Sequence, residues 1–210
     1  MKHRHFTMVH KIVLGALVLA FVVLFIIQKV NQAQDRQESI RTTPLGADEQ
    51  TWFSFIDNLY SFSASYPETY RLNEEYVYEA LGEDLGIPGL AVMMPELTAK
   101  QIGLTRESYF GLEVLPLFNG CSALYFARGT LKEETITEGE REYSVARARF
   151  TENGQVREET VYSFPGQMYC YGLRGVAVIS LPNKENPNAE FDRTYFEEIY
   201  SRLRQEFKPL

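Results

Sequence analysis

The chain has 210 residues and a formal net charge of −7, which leaves room for one ordinary domain plus an appendage, not two full domains. Hydrophobic residues make up 45% and charged residues 23%, a globular composition rather than a disordered or collagenous one. Two cysteines exclude a disulfide-rich scaffold and a four-thiolate metal site.

Charge is unevenly divided. Residues 1–30 carry Lys2, Arg4, Lys11 and Lys29 and no acid, while residues 31–210 carry the other 17 basic residues against all 28 acids, a net −11. An acidic body gains no counterion release on a phosphate backbone, so nucleic acid is not an expected partner. Anionic lipid is no better a match for the body.

Ile12 to Ile27 is an unbroken apolar run of 16 residues. Extended to Val30 it gives a helix of about 28 Å at ~1.5 Å per residue, matching a hydrocarbon core of about 30 Å. Lys11 and Lys29 can snorkel to the two interfaces. The run exceeds the apolar centre of a signal peptide, and no small-x-small cleavage site follows, so it reads as a retained anchor. The expected organisation is a basic cytoplasmic tail (1–11), a transmembrane anchor (12–30) whose partner is the lipid bilayer, a polar linker (31–50) and an extracytoplasmic domain (51–210). A short basic tail kept inside, with the large domain exported, is the simpler topology.

Along the body, Trp52–Ile56 and Tyr60–Tyr66 flank the turn pair Asp57-Asn58 and read as a hairpin that Pro67 closes. Tyr76–Leu81 and Leu90–Met94 are short strand candidates, and Pro95–Lys100 a short helix. Tyr109–Leu115 alternates, with Phe110, Leu112 and Val114 on one face and Gly111 and Glu113 on the other. Asn119–Arg128 reads as a short helix. Arg141–Phe150 and Gln155–Phe164 flank Glu152-Asn153-Gly154 as a long hairpin. Gln167–Leu173 and Val176–Leu181 are read as two strands that end the sheet. Phe191, Tyr195/Phe196, Ile199/Tyr200, Leu203 and Phe207 recur at helical spacing, with Asn188 or Asp192 to cap the helix and Pro209 to end it. Consecutive hairpins with a terminal helix predict an α+β domain: an antiparallel sheet covered by a C-terminal helix.

The chemistry is defined by what is missing. The only histidines, His3, His5 and His10, precede the apolar run. The body therefore lacks Ser-His and Cys-His nucleophilic pairs and a histidine-ligated metal. There is no Gly-x-Gly and no Gly-Lys-Ser/Thr, hence no dinucleotide fingerprint and no P-loop. Glu133, Glu134, Glu138, Glu140 and Glu142 cluster around one expected turn. They read as a solvated charge run rather than a calcium loop, for no Asp-x-Asp-x-Asp-Gly pattern accompanies them and Arg141 sits among them. No metal, cofactor or catalytic residue is assigned. Cys121 and Cys170 would form one disulfide in an exported domain; in a cytosolic body they would be two separate buried thiols.

The segments Tyr60–Pro67 with its Ser-x-Tyr-Pro end, Leu104–Pro116, Cys121-Ser-Ala123, Glu159–Tyr162, Cys170-Tyr171 and Phe191-Asp192-Arg193 resemble a group of uncharacterised, membrane-anchored or exported bacterial proteins. The strand-ending Ser-x-Tyr-Pro and the final Phe-Asp helix are similar to the PsbP-like fold. The resemblance spans most of residues 52–207. It implies an antiparallel sheet with packed helices, an extracytoplasmic place and no reaction, since PsbP-like domains are binding or assembly modules. His5–His10 before an apolar helix partly resembles a type IV pilin start, but the Gly before Phe6 and the Glu five residues on are His5 and His10 here.

The expected function is therefore a membrane-anchored extracytoplasmic binding or assembly module, not an enzyme, with an envelope protein as partner. The alternatives are a pilin-like structural subunit and a hydrolase built on two facing carboxylates.

Overall fold

The computed structural model describes residues 46–79, 86–118, 120–128, 132–152, 154–180 and 190–210. The expected tail, the anchor and the linker up to residue 45 lie outside the described residues, as do the pilin-like start and the loop before the terminal helix. The chain divides into two units, Met1–Thr43 and Pro44–Leu210, and all the described residues belong to the second.

Among the described residues, eleven strands, β1 to β11, and two α-helices build this unit. The hairpin β1 (Trp52–Asp57) and β2 (Phe62–Pro67) forms as expected. β3 (Arg71–Asn73), β4 (Val77–Tyr78) and β5 (Ile87–Met93) precede a one-and-a-half-turn helix, α1 (Glu96–Gln101), entered through Pro95. β6 (Tyr109–Pro116) follows. The expected helix after residue 119 shrinks to a 3₁₀ turn, Ala123–Tyr125, capped by the Ser122 hydroxyl on the Leu124 N–H. β7 (Glu133–Glu138), β8 (Arg141–Glu152), β9 (Gln155–Pro165) and β10 (Tyr169–Ser180) lead to α2 (Arg193–Glu206) and β11 (Lys208–Pro209).

The main sheet runs β3-β5-β6-β10-β9-β8-β7, with β4 also paired to β5. Every pairing is antiparallel. A smaller sheet, β1-β2-β11, packs alongside α2. α2 presents the stripe foreseen from its spacing: Tyr195, Phe196, Ile199 and Tyr200 are buried, and the Asp192 carboxylate accepts the Tyr195 N–H at 3.0 Å. This stripe joins Phe62, Phe110, Leu112, Tyr162, Tyr171 and Phe207 in the larger core. Phe110 stacks on Tyr200 at 5.6 Å and lies 4.8 Å from Phe196. A second, smaller core of Tyr78, Ile87, Phe126, Ala146 and Val161 fills the other face.

One expectation is corrected. Gln167–Leu173 and Val176–Leu181 are not two strands ending the sheet but one strand, β10, between β6 and β9 at its centre. Gly172 and Gly175 interrupt the apolar pattern without breaking the strand. They make room for neighbours: a Cβ on Gly172 would lie 2.6 Å from the Phe126 ring, and one on Gly175 2.9 Å from the Tyr200 ring. The five glutamates do flank a turn, at Gly139-Glu140, but the stretch Glu133–Glu138 leading into it is a strand that was not foreseen, the edge strand β7. Its charges suit an edge that must not recruit another chain. The packed body also starts ahead of Thr51: Ala47 is buried, and its carbonyl accepts from Trp52 Nε1 at 2.9 Å and Arg202 Nη1 at 2.6 Å.

Candidate functional site

β10 is covered on both sides, so its even-numbered residues face the smaller core while its odd-numbered ones face α2. Arg174 thus points into the protein interior and is fully buried, as is Glu113; Glu159 is nearly so. The register places Gly172 opposite Glu113 and Val176 opposite Glu159, making both carboxylates diagonal neighbours of Arg174. Arg174 donates Nε to Glu113 Oε1 at 2.5 Å, Nη2 to Glu113 Oε2 at 2.8 Å and Nη1 to Glu159 Oε2 at 2.7 Å. Nη2 also bonds the Phe126 carbonyl. The Tyr78 ring stacks over the guanidinium, 3.5 Å from its carbon, and the Tyr78 hydroxyl donates to Glu159 at 3.0 Å.

The cluster continues toward the surface. Arg157 Nε donates to Glu159 Oε1 at 2.7 Å, and Tyr76 donates its hydroxyl to Glu113 at 2.9 Å. Tyr109 lies 3.1 Å from the Tyr76 oxygen and 3.5 Å from Arg157 Nη2. Two arginines and two glutamates balance in charge, which is the condition for burying them together. Burial pulls the pKa of Arg174 down more than any one partner raises it, but the charge and hydrogen bonds of Glu113, together with Tyr78 and Glu159, outweigh it and hold the group above the ordinary arginine value. Burial pushes Glu113 above the ordinary glutamate value despite the pull of Arg174. Burial also raises Tyr76, Tyr78 and Tyr109, so all three are neutral hydroxyls at physiological pH.

Two facing carboxylates are what a glycoside hydrolase would need. Here Arg174 fills the space between them, and neither Glu113 nor Glu159 lines either of the two clefts. The cluster is chemically a closed circuit of matched donors and acceptors. It ties β6, β9 and β10 together in one register.

The larger cleft, about 830 Å³, lies between the β7–β8 turn, the end of β9 and the last turn of α2, and is lined among others by Glu138, Arg141, Tyr143, Phe164 and Arg204. Arg204 is gripped by Glu138 (3.1 and 2.9 Å) and packed over Tyr162 and Tyr200. Arg141 bonds the Phe207 carbonyl at 3.1 Å and lies over Phe164. The smaller cleft, about 470 Å³, lies between residues 46–49 and α2.

Cys121 and Cys170 are joined by a disulfide with Cα atoms 5.2 Å apart, which decides between the two readings open at the sequence level. It ties the 3₁₀ turn onto β10 over the buried arginine. The acids of the expected turn are dispersed: Glu133 bonds the Ser122 and Ser144 hydroxyls, Glu134 pairs with Arg147, and Glu138 with Arg204. Among the described residues no three His, Cys, Asp or Glu side chains stand together to hold a metal. The Glu113–Arg174–Glu159 cluster was not foreseen. Its only signal is a charge set in an otherwise apolar run, and a one-sided sheet would have put such a charge in water.

No family model matches the chain, and neither does any curated protein. Among solved structures it is similar to one from Bacteroides thetaiotaomicron VPI-5482 (12% identity, TM-score 0.44), covering 75% of this chain and 48% of that one. It is also similar to cyanobacterial PsbP from Synechocystis sp. PCC 6803 (8% identity, TM-score 0.45; 80% of this chain, 98% of that one). A third is a point mutant of the protein Mog1 (10% identity, TM-score 0.43; 76% and 96%). The chain thus spans about half the length of the Bacteroides protein, and identities this low transfer no function.

Proposed function

We propose that this domain is a non-catalytic binding or assembly module, held outside the cytoplasm by residues 12–30. The observation that carries the reading is the Cys121–Cys170 disulfide, because such bonds persist in oxidising compartments and are rare in reducing ones. The rest of the domain fits. Its buried ionic groups are bound to one another, while large apolar side chains stand exposed at Leu59, Phe118 and Met168. A buried ionic cluster bound to itself, together with large apolar side chains left exposed, suits holding something rather than transforming it.

The test is made on intact cells. Protease added after opening the outer envelope removes the domain, and a maleimide labels neither cysteine until a reductant is added. Cross-linking in the membrane followed by mass spectrometry then recovers the same envelope protein repeatedly. A body protected in the cytoplasm with both thiols free sinks the proposal.

A further inference from the structure

Three of the most exposed large apolar side chains meet at one end of the domain although they come from three separate turns: Leu59 (72% exposed), Phe118 (84%) and Met168 (63%). Hydrogen bonds fix the juxtaposition. The Tyr169 hydroxyl donates to the Leu59 carbonyl at 3.4 Å, and the Leu117 N–H donates to the Met168 carbonyl at 3.0 Å. The rings of Tyr60 and Tyr169 meet edge to face at 5.9 Å behind the tips. Residues 58–61, 116–118 and 165–169 contain no charged side chain, in a body that is otherwise rich in acids; the Asp57 carboxylate at the base of the first turn is half-buried and accepts the Tyr60 N–H at 2.8 Å.

We infer that this end docks on the uncharged surface of the bilayer, with Leu59, Phe118 and Met168 entering the interface and Tyr60 and Tyr169 at headgroup depth. The inference rests on reading residues 12–30 as a membrane anchor. The length of chain between anchor and domain favours the bilayer as occupant. Fifteen residues, 31–45, separate Val30 from Gly46. Whatever their conformation, they cannot span more than about 50 Å. β1 adds about 17 Å between Trp52 and the Asp57 end. The bilayer is therefore within reach at all times and at high effective concentration, so even weak insertion of three side chains is populated. Tyrosine behind apolar tips is the arrangement favoured at a membrane interface. The absence of a basic cluster means that attraction to anionic headgroups plays no part, so docking is insensitive to salt.

The experiment uses the full-length protein in phosphatidylcholine vesicles, with the photoreactive p-benzoyl-phenylalanine placed singly at position 118, 168 or 107. Glu107 precedes β6, at the other end of that strand from Phe118. After irradiation, intact-mass spectrometry shows phosphatidylcholine adducts at 118 and 168 severalfold above those at 107, unchanged by added salt. Adducts at 118 with a second copy instead of lipid overturn the inference, as do lipid adducts no more frequent than at 107. The same vesicles are floated after alkaline carbonate. Protein that floats but captures no lipid at 118 refutes the docking alone, whereas protein stripped from the vesicles refutes the anchor and the docking with it.

Discussion

On β10, Leu173 and Ala177 point into a layer of packed rings beneath α2, whereas Arg174 between them points into a shell of carboxylates and tyrosines beneath the disulfide-tied turn. Adjacent residues of one strand thus serve two cores of opposite character. On the α2 side the contacts are apolar and non-directional, so each side chain contributes roughly by its own area and fit. On the other side each group depends on its partner, because an ion without its counterion is far worse than none. The first core tolerates local change. The second is a unit that is either whole or costly.

Arg174→Met tests that contrast most severely. It leaves Glu113 buried without a counterion and Glu159 with Arg157 alone, and about 3–5 kcal/mol of stability is expected to be lost. Adding Glu113→Gln and Glu159→Gln should recover much of that loss, since the fully buried groups are then neutral and the one charge left, on Arg157, is partly exposed to water. Urea unfolding of the two variants measures the difference. A triple variant that is less stable than Arg174→Met alone would show that the carboxylates contribute independently, and the contrast between the two cores would collapse.

Replacing Cys121 and Cys170 by alanine comes next. For a 49-residue separation the chain-entropy estimate is about 4 kcal/mol, commonly less in practice. Because Phe126, on the tied segment, gives its carbonyl to Arg174, this loss and that of Arg174→Met should fall short of additive. A strictly additive double-mutant cycle would separate the staple from the ionic core.

Gly175→Ala probes the aromatic side. The new methyl would press on the Tyr200 ring at 2.9 Å, an overpacking worth about 1–3 kcal/mol, with no change in the stability difference produced by Arg174→Met. Thermal melts of the single and double variants read this directly. A coupling between the two sites would mean that β10 moves as one piece and transmits strain from face to face.

These faces were unequally legible in the sequence. The α2 stripe was readable from Phe191 to Phe207 because helical periodicity is a local signal. So was the alternation of Phe110, Leu112 and Val114 against Gly111 and Glu113. What alternation does not say is whether the second face is wet. Glu113 is a surface charge if the sheet is covered once and a buried ion if it is covered twice, and the cover comes from Tyr76, Tyr78 and Phe126, far away along the chain. β10 was divided in two because Gly172 and Gly175 imitate a break. Only the rings that press against them reveal why glycine is there. β7 was hidden by its own negative charge, since five glutamates in ten residues carry no strand pattern. Cys121 and Cys170 were named correctly as a pair, yet nothing in their spacing indicated that the bond would close over an arginine.

The smallest expected effect lies at the rim of the ionic face, on Glu133. Hydrogen bonds from the Ser144 and Ser122 hydroxyls hold its carboxylate below the ordinary glutamate pKa. Ser144 in turn accepts the Ala123 N–H at 2.7 Å, so the carboxylate steadies the turn that carries Phe126. A carboxyl with a depressed folded pKa contributes stability above its unfolded pKa and loses it as pH falls through the folded value. Acidification should therefore loosen this corner only below the ordinary glutamate range. Carboxyl-carbon shifts followed by NMR would give Glu133 a midpoint below the ordinary glutamate value, and Ser144→Ala would raise it toward that value. An ordinary midpoint in the unaltered protein would mean that the serines merely sit beside Glu133. The corner would then depend on the disulfide alone, and losing that bond would free the turn and remove the Phe126 carbonyl from Arg174 at any pH.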